Sequence, residues 1–427
     1  MTGMTEIATS SQESTVFEEH AGRVIARLRK SVGDLVGAIP SLEPIPRPVD
    51  LGHCLGIDSK LAWKISNFLS IGDPFAAAQY VPGTAGFRIF LRAAGRKDLG
   101  KSLVASARAA FDGFVDLVDT HAGSRKAFDM MLAGHVQANR SRMDLEHRRM
   151  MFLGGSYVWG VQARVAVRID ILTPSTDPMK FDLTLVRGFV DLRRLRPNVP
   201  WRVWRGFSVD DTGVAHTSVE SEPLDPAEDG EISSSSVPLV RDFCSRPLPR
   251  FRAVEGIGGI VEYELIEGEV GNTGILTCIT GETLRRVEPR YRMERYHDLC
   301  LLFRIRTPSE LAIGDILVHR GLFGDGFDPR LRVYSDLFTD VIAPKYRSSD
   351  LIPTEERVER LGPATDPPAR SEIPRHGELV RRALARGGWK AADFDLYRVQ
   401  MRYPPFPSTL MVTDELPMPP PSRKKGR

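Results

Sequence analysis

GGSYVWGVQARVAVRIDIL, Gly154–Leu172, marks the place where the chain changes character. From Val161 onward, Val161, Ala163, Val165, Val167, Ile169 and Ile171 alternate with Gln162, Arg164, Ala166, Arg168 and Asp170. A period of two sends successive side chains to opposite faces, so the run predicts a long strand with one apolar and one polar face. That pattern suits a half-exposed antiparallel sheet. Upstream, the apolar residues recur every three or four positions, the period of a helix. Gly154-Gly155 is therefore expected to separate a helical N-terminal domain from a β-rich domain, giving an α+β fold.

In the N-terminal part, Phe17, Ala21, Val24, Ile25, Leu28, Val32, Leu35 and Val36 predict an amphipathic helix. Residues 1–16 are Ser/Thr-rich without apolar periodicity and are expected to be disordered. A Pro-rich connection, Ile39 to Pro48, follows. Asp73-Pro74 offers an N-cap and then proline at the first helical position, opening a helix that Pro82 and Gly83 end. Further helices are expected at Phe87 to Ala94, at Leu103 to Val118 and around Phe128, Met131, Leu132 and His135. The helical domain is thus placed at residues 17–150.

Downstream, strands are expected at Asp182 to Phe189, Trp201 to Val209, Ile260 to Ile266, Ile275 to Thr280, Leu299 to Ile305, Ile316 to Arg320 and Arg332 to Tyr334. Strands without regular intervening helices predict a mainly antiparallel β sandwich or barrel over residues 151–359. Residues 360–375, with GPATDPPARSEIPR, read as a linker. Residues 376–416 predict a short helix and a terminal strand, and 417–427 a basic disordered tail.

One segment of the helical domain links to a partner: LGHCLGIDSKLAWKISN, Leu51–Asn67. Val49, Leu51 and Leu55 are assigned to the inner side of a short first helix. Gly56 supplies a tight turn, Ile57 a plug for the corner, and Asp58 or Ser59 a cap for a second helix. Leu61, Ala62, Ile65 and Leu69 then repeat at helical spacing. Ser59, Lys60, Trp63, Lys64 and Asn67 occupy the opposite face, where they can reach phosphates and base edges in a major groove. The spacing also fits an ordinary helix pair in an all-helical domain.

The run Gly56 to Asn67 resembles the Gly-Val-Ser-x-x-Thr-Val-Ser-Arg-x-x-Asn pattern of bacterial helix-turn-helix regulators. Gly56, Ile57 and Asp58 match its turn, Ala62 the small apolar position, Lys64 the Arg position and Asn67 the Asn. Leu61 and Trp63 depart from it. The resemblance spans residues 49–69 and implies binding of double-stranded DNA by Ser59, Lys60, Trp63, Lys64 and Asn67, with a homodimer expected because one unit reads only a half-site.

Other signals narrow the function classes. A net charge of +3 over 427 residues does not by itself argue for nucleic acid, but Phe17 to Met150 carries 19 Lys/Arg against 14 Asp/Glu. Cys54, Cys244, Cys278 and Cys300 lie far apart, which supports neither a zinc site nor a disulfide scaffold. The start lacks a secretory pattern, and no apolar run is long enough for a bilayer, so a cytoplasmic protein without a membrane partner is expected. There is no phosphate loop, dinucleotide fingerprint, HExxH or GxSxG, so no enzyme, cofactor or metal is expected. Gly256-Ile257-Gly258-Gly259 precedes a strand and reads as a turn. Arg193 to Arg205, RRLRPNVPWRVWR, admits a strand-binding surface, but alternation favours Trp201 and Val203 in a β core with Arg202 and Trp204 outside. His297 and His319 would matter as catalysts only if the fold brought them together. The resulting expectation is a DNA-binding regulatory protein with a β-rich sensing or assembly domain. A structural or interaction protein is the alternative, and an enzyme built in the β domain a further one.

Overall fold

The computed structural model describes residues 5–97, 101–134, 137–205, 208–209, 215–216, 221–226, 237–255, 261–266, 268–294, 297–335, 348–365 and 370–420. The chain divides into two compact units, Met1–Asp144 and Leu145–Arg427.

The first unit is helical: α1 (Thr5–Gly37), α2 (Pro48–Leu55), α3 (Ser59–Ser70), α4 (Pro74–Ala78), α5 (Thr84–Gly95), α6 (Lys101–His121) and α7 (Arg125–Ala133). Next comes α8 (Gln137–Trp159), which crosses into the second unit. The apolar stripe of α1 lies in one core with Leu51, Ile65, Phe68, Phe87, Phe90, Phe114 and Phe128. Phe87 stacks on Phe111 with ring centroids 4.0 Å apart. Asp73 caps α4 as expected, accepting from Ala76 N at 2.7 Å. Two expectations are corrected here. Residues 5–16, read as disordered, belong to α1. Once the stripe from Ala21 to Val36 is docked, each added residue extends an existing helix without a new nucleus. Val49 is 66% exposed. It lies two residues before buried Leu51, about 200° round the helix, so it cannot share that face.

The change from helix to strand comes later in the chain than Gly154-Gly155. Gly154 and Gly155 lie inside α8, whose last residue is Trp159. A Cβ on Gly155 would sit 3.4 Å from the Phe406 ring, so that glycine serves close packing. Gly160 makes the turn: its φ is +71°, its N–H donates to Ser156 O at 2.8 Å and its carbonyl accepts from Leu195 N.

The second unit contains β1 (Val161–Pro174), β2 (Lys180–Arg194), β3 (Trp201–Arg205), β4 (Ser208–Val209), β5 (Ala215–His216), β6 (Ser221–Pro223), β7 (Phe251–Glu255) and β8 (Val261–Leu265). They are followed by β9 (Leu276–Pro289), β10 (Asp298–Ile305), β11 (Ser309–His319), β12 (Arg330–Ser335), β13 (Leu351–Ile352) and β14 (Glu359–Pro363). Helix α9 (His376–Arg386), β15 (Phe394–Arg402) and β16 (Ser408–Glu415) complete it. A seven-stranded sheet runs β14-β15-β11-β1-β2-β9-β6 and a four-stranded sheet β10-β16-β12-β13. A third sheet is β3-β8-β7. The α+β class holds, with pairing antiparallel throughout the large sheet except for parallel β1 and β11, which makes it mixed.

The central sheet is covered on both faces. Val165, Val167, Ile169 and Ile171 of β1 pack in one core with Leu379, Val380, Ala383 and Leu384 of α9. On the other face Ala166, Ile316 and Val399 share a core with Leu301, Leu410 and Val412 of the four-stranded sheet. The polar side of β1 is therefore largely covered: Asp170 is 2% exposed, while Arg164 near the start of the strand keeps 40% of its side chain exposed. This corrects the half-exposed strand expected from alternation, which distinguishes the two faces without saying what covers either.

The segment read as a linker, 360–375, includes most of β14 and buries Ala364 and Ile373. Strand β14 is at a sheet edge and is bulged between Arg360 and Gly362, where Gly362 has φ +87°; such edges tolerate glycine and proline. The C-terminal part adds two strands to existing sheets instead of one terminal strand. Of the expected basic tail, 421–427 lie outside the described residues.

Candidate nucleic-acid interface

Helices α2 and α3 form the expected pair. Gly56 closes α2 at φ +61°, ψ +42°, with its N–H directed to Gly52 O. Ile57 N also donates to Gly52 O, and the Ile57 side chain packs against the core. Asp58 Oδ1 accepts from Lys60 N and Leu61 N, both at 3.0 Å, capping α3. A Cβ at Gly52 would lie 3.5 Å from that of Ala62, so two small residues permit the close crossing. Leu61, Ala62, Ile65, Phe68 and Leu69 are buried.

The opposite face presents the five residues singled out in the sequence. Ser59, Lys60 and Trp63 are exposed, and Lys64 and Asn67 half-buried. Two have local partners. Trp63 lies edge-on to Tyr80 with centroids 5.3 Å apart, yet keeps 47% of its surface exposed. Asn67 Nδ2 donates to Trp63 O at 2.8 Å. Lys60 and Lys64 stand about one helical turn apart on α3.

The electrostatic setting comes from α3 and α5. Between Ser59 and Gly95 Asp73, spent on the α4 cap, is the one carboxylate. Arg88 and Arg92 of α5 are exposed at helical spacing, and Arg96 follows at its C-cap. Helix α5 begins close to α3, since a Cβ at Gly86 would lie 3.5 Å from Leu61 Cδ1. The α5 arginines were not singled out in the sequence. Their spacing of four, without an intervening acid, was the available signal.

The other sequence candidates fall apart. His297 accepts from Arg292 Nε through Nδ1 at 2.9 Å and lies 3.0 Å from Glu294 O through Nε2. His319 instead packs edge-on against Trp389 and Phe394 and accepts from Gly321 N. They have separate surroundings and form no acid/base pair. Among the described residues no group of three His, Cys, Asp or Glu side chains could hold a metal.

In the basic run, Trp201 is buried and donates to Thr307 Oγ1 at 2.9 Å. Arg194 is buried and donates to the Leu265 and Ile266 carbonyls. Arg202 is exposed and paired with Glu262, as expected for the outer face, while the Trp204 side chain and Gly256–Gly259 lie outside the described residues. Through these contacts Arg194 and Arg202 tie strands together.

A buried Asp–His–Arg cluster was missed. Asp315 of β11 takes a two-pronged contact from Arg398 of β15, at 2.6 and 2.9 Å, and His376 Nε2 lies 3.3 Å from its Oδ2. Asp315 is wholly buried and His376 nearly so, so the cluster lacks the access to substrate that catalysis needs and acts as a structural clasp between strands and α9.

No family model, curated protein or solved structure matches this chain. Among the described residues no helix is long and apolar enough to cross a membrane.

Proposed function

We propose that the protein is a cytoplasmic, non-enzymatic DNA-binding regulator, with the exposed face of α3 as its reading surface. One observation carries this reading: the αL turn at Gly56 and the Asp58 cap hold out a helix, Ser59–Ser70, that carries two lysines and no carboxylate of its own. Lys60 and Lys64 anchor phosphates, Ser59, Trp63 and Asn67 contact base edges, and Arg88 and Arg92 add to the field. A homodimer doubles the half-site, and the β unit serves for sensing or assembly.

The test is binding of the full chain to random double-stranded DNA across a salt series, beside Lys60→Ala/Lys64→Ala. Each phosphate contact contributes about 0.9 to the log–log salt slope, so the double change should flatten it by about 2. Its affinity at low salt should fall tenfold or more. Binding indifferent to the two lysines sinks the reading.

A second reading, as an assembly protein, draws on α8. Its C-terminal part exposes Met150, Met151, Leu153, Tyr157 (77%) and Val158 (66%), an apolar concentration of the kind that marks contact surfaces. Self-association together with absent DNA binding at low salt would favour it.

A further inference from the structure

We propose that the cleft between the central sheet and β10 binds a small phosphate-bearing molecule with a flat apolar group, of about mononucleotide size, through a cluster of arginines. The cleft has a volume of about 250 Å³. That lies just below the ~300–1,000 Å³ common for small-molecule sites, so it suits a compact ligand.

Strand register creates the cluster. Arg168 of β1 stands directly opposite Arg187 of β2, whose other neighbour is Thr280 of β9. Like charges facing each other across a strand pair destabilise a sheet, so this row needs negative charge nearby. Asp170 holds Arg168 at 2.7 Å and Glu282 holds Arg187 at 3.0 Å. More positive charge comes from elsewhere. Arg304 and Arg306 reach the cleft from β10 and the residues after it, and Arg202 from β3, with Glu262 gripping its guanidinium. Five arginines line the cleft, and none of the described lining residues is a carboxylate.

Burial pushes the Arg187 guanidinium below its ordinary value, and Arg168 and Arg304 act in the same direction, against the pull of Glu282 and Asp170. An anion in the cleft would reverse that penalty. Guanidinium forks match phosphate oxygens two at a time, so several converging arginines suit a phosphate better than one carboxylate. Phe189 and Phe303 line the same space and supply apolar surface for a ring. Gly314 makes room for Phe303, because a Cβ there would lie 3.4 Å from its ring.

The experiment titrates the full chain calorimetrically with AMP, pyrophosphate, inorganic phosphate and citrate at one ionic strength. AMP should bind at least tenfold more tightly than inorganic phosphate. Arg304→Gln/Arg306→Gln, changing two half-buried residues, should weaken AMP tenfold or more, while Arg402→Gln, outside the cleft, should stay within twofold. If the double variant melts well below the wild type, Arg202→Gln at the exposed rim takes its place and should weaken AMP at least threefold. The proposal is overturned if no phosphate compound binds at that ionic strength, if citrate binds most tightly, if the cleft variants bind as wild type, or if only single-stranded oligonucleotides bind. The titration does not involve α3, so its failure leaves the DNA reading standing, and the reverse holds as well.

Discussion

Strand β1 and helix α3 each carry an apolar and a polar face, and the two polar faces meet opposite fates. On α3, Ser59, Lys60 and Trp63 stay at the surface. On β1, Arg168 and Asp170 are largely covered by the next layer and pair at 2.7 Å, and Arg168 also donates to Leu302 O. The difference is topological. A surface helix can leave one side wet, but a strand in the middle of a seven-stranded sheet has two faces that other layers compete to cover. Periodicity reports which face is polar; the layers packed against it decide whether that face lies open to solvent or is closed down to a narrow cleft of charged side chains.

If that contrast is right, charge removal should be costly in the β unit and nearly silent on α3. The largest effect is expected at Asp315, which is wholly buried between Arg398 and His376. Asp315→Ala strands a buried guanidinium and should cost about 3–5 kcal/mol in denaturant unfolding. The paired change Asp315→Leu/Arg398→Met removes both charges and should recover most of that loss. Lys60→Ala/Lys64→Ala should stay within about 0.5 kcal/mol of wild type. A loss below about 1 kcal/mol for Asp315→Ala would break the contrast.

A smaller effect separates the cap of α3 from the face it presents. Asp58→Ala removes the acceptor of Lys60 N and Leu61 N and should cost about 1 kcal/mol. DNA affinity should drop less than in the lysine double variant, because the cap orders the helix without touching the duplex. A cap variant that abolished binding while melting as wild type would place Asp58 in the interface itself.

The parts of the molecule legible in the sequence are those set by neighbours along the chain. Gly56 and Asp58 act on groups within four residues, so their chemistry could be read directly and the α2–α3 face with it. Pairing of β1 with β11 joins residues about 150 apart, such as Val165 and Leu311, and parallel pairing leaves no hairpin signature. For the same reason Arg168 facing Arg187, and Asp315 facing Arg398, could not be foreseen: each pair exists only once register is set. The 360–375 segment failed differently. Its prolines and its one glycine, Gly362, are equally compatible with a linker and with a bulged edge strand, and the neighbouring β15 decides between them.

The smallest effect probes whether the dry environment of the β unit reaches its margin, where His319 ends β11. Its ring packs edge-on against Trp389 at 5.1 Å and Phe394 at 5.3 Å, and its Nδ1 accepts from Gly321 N at 3.0 Å. Burial lowers its pKa below the ordinary value of 6.5; Arg290 and Arg320 act in the same direction, and Asp393 opposes them. Below about pH 6.5 the unfolded chain therefore takes up a proton that the folded chain resists, and stability falls as pH falls. The loss levels off once the medium is more acidic than the folded-state pKa. His319→Asn keeps an acceptor near Gly321 N but does not titrate, and its missing ring should lower Tm at pH 7. The gap between wild type and variant should then narrow on going from pH 7 to pH 5, because only the wild type pays the proton penalty. A gap that widened instead would mean that the folded state favours the imidazolium, with Asp393 outweighing burial and the two arginines, and that the dry environment ends short of His319.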